Sequence, residues 1–320
     1  MAAKNDNNSG NKLNELIKWY TNSATTKKSD PKILFYSCAA ITALTILFIT
    51  GYIFYEAFPI FMKEGLTYLI SSEWDYETNK YGILTYIVGT VIVTFMTMMI
   101  AAPMGLLTAI FLSEFSPVWL KRIMRPMIEL LIGIPSVIYG IFGLYVLGKF
   151  FEFHIDPLID STLGFIPIFK DIGPSGSSVL LASVVLSIMV LPTMTVISEE
   201  TIRSIPRELR DGSIALGATR WETVKKLLIP LSMTGITTAF ILSMMRAMGE
   251  TMAIVMLTGS VQKIPTSILD MGEVMTTKLV TDIGYYLAFT EPRSALFGIA
   301  AVLFIMEFML IAVIKAISRR

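Results

Sequence analysis

The sequence predicts an all-α, polytopic membrane protein with six transmembrane helices, and three observations carry that prediction. Only 16% of the 320 residues are charged while 54% are hydrophobic, against about 25% charged in an average soluble domain. The mean hydropathy is +0.66. The apolar residues gather into six runs, roughly 33–59, 82–112, 124–151, 177–198, 233–260 and 295–314, each long enough to cross a bilayer as a helix at about 1.5 Å per residue. None alternates apolar and polar residues as a barrel strand does, so helices satisfy the backbone. This pattern excludes an ordinary cytosolic enzyme, a disordered chain and a disulfide-stapled secreted domain. The single Cys38 forms no internal bridge and the single His154 makes no histidine metal site.

Residues 1–32 read as a tail preceding the membrane domain 33–320. Its Asn-rich start, residues 1–10, has the composition of a disordered segment. Leu13, Leu16, Ile17 and Tyr20 share one helical face with Trp19 beside it, the pattern of a short helix lying in the membrane interface. The first apolar run has too long a polar lead to be a cleaved signal peptide. Lys and Arg orient the spans: eighteen fall in the tail, the second and fourth connections and the C-terminus. Seven fall in the alternate segments, and Arg246 lies inside a span. The basic set belongs inside, which places both termini in the cytoplasm and leaves the outer face net negative.

Within the spans, Pro103, Pro135 and Pro192 each remove a helical hydrogen bond. Gly133, Pro135 and Gly140 suit a kinked, closely packed segment lining or gating a pore, and equally suit ordinary membrane-helix packing. The stretch Gly143–Phe150 mimics a phosphate-binding loop as far as Lys149, but Phe150 replaces the metal-binding hydroxyl and no strand precedes it. The sequon-like Asn7-Asn8-Ser9 lies on the inner side and is not a glycosylation site.

Arg246 is the one cation within a span. A helix over 233–259 puts it near the midplane, where even lenient scales charge about 2.5–3.5 kcal/mol for it. Glu250, one turn on, is placed to pair with it at i, i+4. An internal ion pair holding helices together and a transient anion contact both fit, the second because a guanidinium fork matches phosphate oxygens. Glu129 reaches toward the inner boundary, and Glu307 lies deeper in its span.

The connection 199–230 is the most informative segment. Pro206 and Gly217 punctuate two short helices, near 207–216 and 219–228, before Pro230 opens the next span. Asp211-Gly212-Ser213, then Gly217 four positions after Ser213, then Leu227-Leu228-Ile229-Pro230, resemble the signature of ABC-importer permeases. The family begins it with Glu-Ala-Ala and has Ile where Leu227 stands. With LIGIPSVIYGIFGL over Leu131–Leu144 and RAMGETMA over Arg246–Ala253, the chain resembles phosphate-specific ABC permeases of the PstC type over about residues 80–317.

The resemblance implies a type I ABC importer permease fold in the plasma membrane, with 199–230 as the coupling segment. Asp211, Gly212, Ser213, Gly217, Ala218 and Pro230 would then meet an ATP-binding subunit, and Arg246 and Glu250 would line the translocation path. It also implies a second permease subunit of the PstA type, two copies of the ATP-binding subunit, and an extracytoplasmic phosphate-binding protein that delivers phosphate. ATP and Mg would be held by the ATPase, with no cofactor, metal or nucleic acid on this chain and lipid as its solvent. A PstA-like partner, a same-fold permease for another anion and a stand-alone secondary transporter remain the alternatives. No acid, base and nucleophile set converges, so a membrane enzyme is disfavoured.

Overall fold

The computed structural model describes Glu15, Lys18 and residues 31–170 and 176–318. The interfacial helix expected over 11–20 lies outside the described residues apart from those two. The chain divides into two units, Met1–Ile53 and Phe54–Arg320. What is described of the first is mainly the beginning of helix α1 (Pro31–Glu64), where Phe35, Leu44 and Phe48 are exposed. An apolar helix without protein cover is suited to lipid.

In the second unit α1 ends at Glu64 and is followed by α2 (Thr67–Ile70). A short antiparallel hairpin follows, β1 (Trp74–Asp75) against β2 (Lys80–Tyr81), with Trp74 opposite Tyr81. Then come α3 (Leu84–Ile110), continued by a π-helical turn to Phe115, and α4 (Val118–Ile132). Helix α5 (Ser136–Phe142) runs on through further π-helical turns into α6 (Asp156–Leu163). After α7 (Val179–Arg203) come α8 (Arg207–Ala215) and α9 (Arg220–Thr223). The latter continues by a π-helical turn into α10 (Ile229–Met248). The chain closes with α11 (Met252–Leu257), α12 (Met275–Tyr286) and α13 (Thr290–Ser318).

Six helical stretches among the described residues are long and apolar enough to cross a membrane, the number the sequence predicts. Helix α7 is the axis of the bundle: it packs on α3 and α10, and its Leu181, Val185, Leu186 and Val190 fill the main apolar cluster. Its N-terminus is closed by protein: Ser178 Oγ accepts from the Leu181 N–H at 3.1 Å, and the N–H groups of Val179 and Leu180 donate to the carbonyls of Asp270 and Ile268. Those partners satisfy donors that a helix leaves open. Pro103 and Pro192 sit inside α3 and α7.

Two spans depart from the expected outlines. The third run is not one helix over 124–151: α4 stops at Gly133 and α5 starts after Pro135, whose ψ of 137° is extended. Pro135 has no N–H to continue the ladder and disfavours helical backbone at Ile134. The fifth helical stretch covers 220–248 rather than 233–260. It begins before Pro230, because the π-helical turn Val224–Leu228 loosens the ladder where the proline would otherwise clash. It ends at Gly249, and α11 resumes only at Met252. Helix α12, in a stretch read from sequence as a connection, packs against α13.

Candidate functional site

The expected coupling residues lie on a protruding turn. Helix α8 has no buried residue, although Leu209 and Ile214 are apolar, and Leu216 just beyond it is 91% exposed. Gly217 has φ +88° with open space where a Cβ would stand. The glycine is therefore required by the backbone conformation, not by crowding within the chain. The N–H groups of Gly217 and Ala218 donate to the carbonyls of Ile214 and Ser213, closing α8 as a glycine C-cap does. Thr219 and Glu222 form a reciprocal capping box that starts α9. Ser213 and Thr223 share a hydroxyl–hydroxyl hydrogen bond of 2.9 Å across the turn. Asp211 and Gly212 are exposed beside it, whereas Pro230 lies apart, in the first turn of α10.

Several residues the sequence reading left out hold this turn to the bundle. Arg210 Nε donates to Glu114 Oε1 at 3.1 Å, and its two terminal nitrogens reach the carbonyls of Ile205 and Ile202. Glu199, buried at the end of α7, receives Lys121 at 2.8 Å and Arg125 at 3.8 Å. Arg125 also pairs with Glu129 and Glu200. Arg210 adjoins Asp211 in the motif, and that adjacency is the one clue the sequence offered.

At the other candidate site the geometry differs from expectation. Arg246 is in the last turn of α10, not mid-helix, where its charge suits the negative end of the helix dipole. The helix ends before Glu250, so the i, i+4 relation is lost and no Arg246–Glu250 ion pair forms. Among the described residues Arg246 has no ion pair. Glu250 instead turns forward: its Oε1 accepts from the Ala253 N–H at 3.4 Å, and its carbonyl accepts from Thr276 Oγ1 at 2.9 Å. Glu307 comes from α13 to the same break, its Oε1 3.4 Å from where a Gly249 Cβ would stand.

The two helix breaks are neighbours. Helices α5 and α11, each starting just after a break, pack on one another. Gly140 makes that packing close: a Cβ there would meet Met256 Sδ at 2.8 Å and Ala253 Cα at 3.2 Å. Gly133 and Pro135 are exposed at the break itself. An apolar groove of about 460 Å³ lies elsewhere, between Val91, Phe95 and Met99 of α3 and the loop around Ile268.

Comparison with known proteins fits this architecture. Residues 101–320 match the family model of the binding-protein-dependent transport system inner membrane component. The chain is 37% identical to the "Probable ABC transporter permease protein YqgH" of Bacillus subtilis (strain 168), over 89% of this chain and 88% of that one. It is 35% identical to the "Phosphate transport system permease protein PstC" of Xylella fastidiosa (strain 9a5c), over 80% of each chain. Identity to the PstC of Mesorhizobium japonicum is 31%, over 90% of each. Among solved structures, a bacterial alginate ABC transporter bound to its pentasaccharide-loaded periplasmic protein superposes with a TM-score of 0.53 at 16% identity, covering 91% of this chain and 96% of that one. The chain is thus a multi-pass membrane protein and belongs to the family of binding-protein-dependent transport system inner membrane components.

Proposed function

We propose that this chain is one half of the membrane pore of an ATP-driven inorganic phosphate importer. A second permease subunit completes the pore, two copies of an ATP-binding subunit carry ATP and Mg, and an extracytoplasmic binding protein delivers phosphate. Both termini and the turn at Gly217 face the cytoplasm, in keeping with the Lys and Arg bias. The net-negative outer face repels phosphate at long range, so capture falls to the binding protein. Exposed Leu216, Leu209 and Ile214 on the turn are what a groove on the ATP-binding subunit would cover.

The observation that carries the reading is Arg246: a guanidinium inside a membrane bundle, at a helix break, with no ion pair among the described residues. A cation in a span is ordinarily paired or functional, and a broken span is a recurrent place for ion contacts. Phosphate passing the break would meet the guanidinium fork directly, with no covalent chemistry on this chain. The relatives named as phosphate transport permeases support the choice of anion. Arg246→Gln tests it in the reconstituted transporter. Loss of one charged contact worth about 1.5–3 kcal/mol predicts uptake falling by roughly ten- to a hundredfold with assembly intact. Unchanged uptake would sink the role.

A further inference from the structure

We infer that Arg210 is a positioning residue of the transport cycle, tying the turn at Gly217 to the ends of two spans so that a push on the turn moves α3 and α7 together. The inference rests on reading 199–230 as the ATPase contact. It stands on what the guanidinium touches. One side chain bonds the carboxylate of Glu114, at the end of the α3 stretch, and the carbonyls of Ile202 and Ile205, at and just beyond the end of α7. The Ile202 carbonyl lies in the last turn of α7, where acceptors lack a partner further along the helix, and a cation there also suits the helix dipole. Both side chains of the pair are mostly withdrawn from solvent, Arg210 at 15% and Glu114 at 16% exposure.

The other arginines of the segment do not do this. Arg203, Arg207 and Arg220 are exposed and make no ion pair among the described residues, so the tether belongs to Arg210. Only a planar fork with five N–H donors reaches a carboxylate and two carbonyls at once; a lysine ammonium is a single point. Beneath it, Ile110, Ile202, Ile205, Val224 and Leu228 pack as one apolar cluster. Lys121 adds a parallel strut from the Leu112 carbonyl to Glu199. Helix α8 itself buries nothing, so without Arg210 it is joined to the block mainly by its chain ends and the Ser213–Thr223 bond.

The test uses the whole transporter, with both permease subunits, the ATPase and the binding protein in proteoliposomes, reading phosphate uptake and ATP hydrolysis in the same vesicles. In Arg210→Ala, uptake per ATP falls roughly tenfold, as loss of a charged hydrogen-bonding group predicts, and Arg210→Lys recovers only part of it. An unchanged ratio in Arg210→Ala overturns the inference. If that variant does not assemble, Glu114→Gln decides: it keeps the carbonyl contacts, and a ratio equal to wild type overturns the inference. Spin labels at positions 118 and 208, in a chain with Cys38→Ser, give a readout independent of uptake. Their separation stays constant on adding a non-hydrolysable ATP analogue in wild type and shifts in Arg210→Ala. A shift in wild type overturns the tether. Failure of wild type to take up phosphate with ATP sinks the importer reading instead, and the label distances still judge the tether.

Discussion

The end of the bundle at Glu199 and Arg210 and the helix break at Arg246 both place charges among apolar helices but use them in opposite ways. At the first, every buried or half-buried charge has a partner: Glu199 has Lys121 and Arg125, Arg125 has Glu129 and Glu200, and Arg210 has Glu114. At the second, among the described residues, Arg246 and Glu307 have no ion pair and the Glu250 side chain makes a long bond to Ala253. An unpaired charge in low dielectric is the more costly arrangement. The difference separates charges that hold the fold from charges that, on the proposed function, stay available for a passing anion.

Removing a partner at the tied end should give the largest loss of stability. Glu199→Ala takes the anion from Lys121, while Arg125 keeps Glu129 and Glu200, costing roughly 3–4 kcal/mol because the carboxylate is buried and Lys121 is partly so. A clear drop in melting temperature of the purified protein checks it. A melting curve like wild type would show that the tied end is held by the apolar cluster of Ile202, Val224 and Leu228 alone, and the contrast with the break would collapse.

A smaller effect is expected from Glu273, on the loop that leads into α12 close to the break. Burial pushes its carboxyl up to about 7, opposed by Lys278 and assisted by Asp282. Lys278 is already taken by Asp282 at 2.7 Å. With the folded value above the unfolded one, the native state holds the extra proton between about pH 4.5 and 7. This group's contribution is thus fully present below about pH 4.5 and declines as pH rises to 7, by roughly 2–3 kcal/mol. Glu273→Gln should flatten that window in melting temperatures taken at pH 5 and pH 7.5. An identical slope in the variant would assign the pH dependence to another group.

Much of this was legible in the sequence because membrane spans follow from apolar length alone. The six spans and the two helices punctuated by Pro206 and Gly217 follow from hydropathy and motif spacing. The breaks do not. A run such as 233–260 stays apolar through Gly249-Glu250-Thr251, and hydropathy does not register a backbone that stops and restarts. The i, i+4 pairing of Arg246 with Glu250 was the consequence, since it assumed a continuous helix. The partners of Arg210 were also out of reach: Glu114 is 96 residues away, and only the packing of α3 on α7 brings the two together.

The smallest stability change and the sharpest functional one should coincide at Glu250. Its side chain contributes a single 3.4 Å contact to the Ala253 N–H, a weak cap, so Glu250→Gln should cost under about 1 kcal/mol. Glutamine can still accept from that N–H, and the contact of the backbone carbonyl with Thr276 is untouched. What the substitution removes is a negative charge four residues from Arg246, at a break that an anion would pass. If the carboxylate helps to release phosphate from Arg246, uptake falls at saturating phosphate while the phosphate dependence shifts to lower concentration. If it is only a cap, both stay as in wild type and the melting temperature moves slightly. Measuring melting and uptake on the same preparation separates the outcomes. A large melting shift without a change in uptake would place Glu250 with the tied charges and erase the distinction between the two regions.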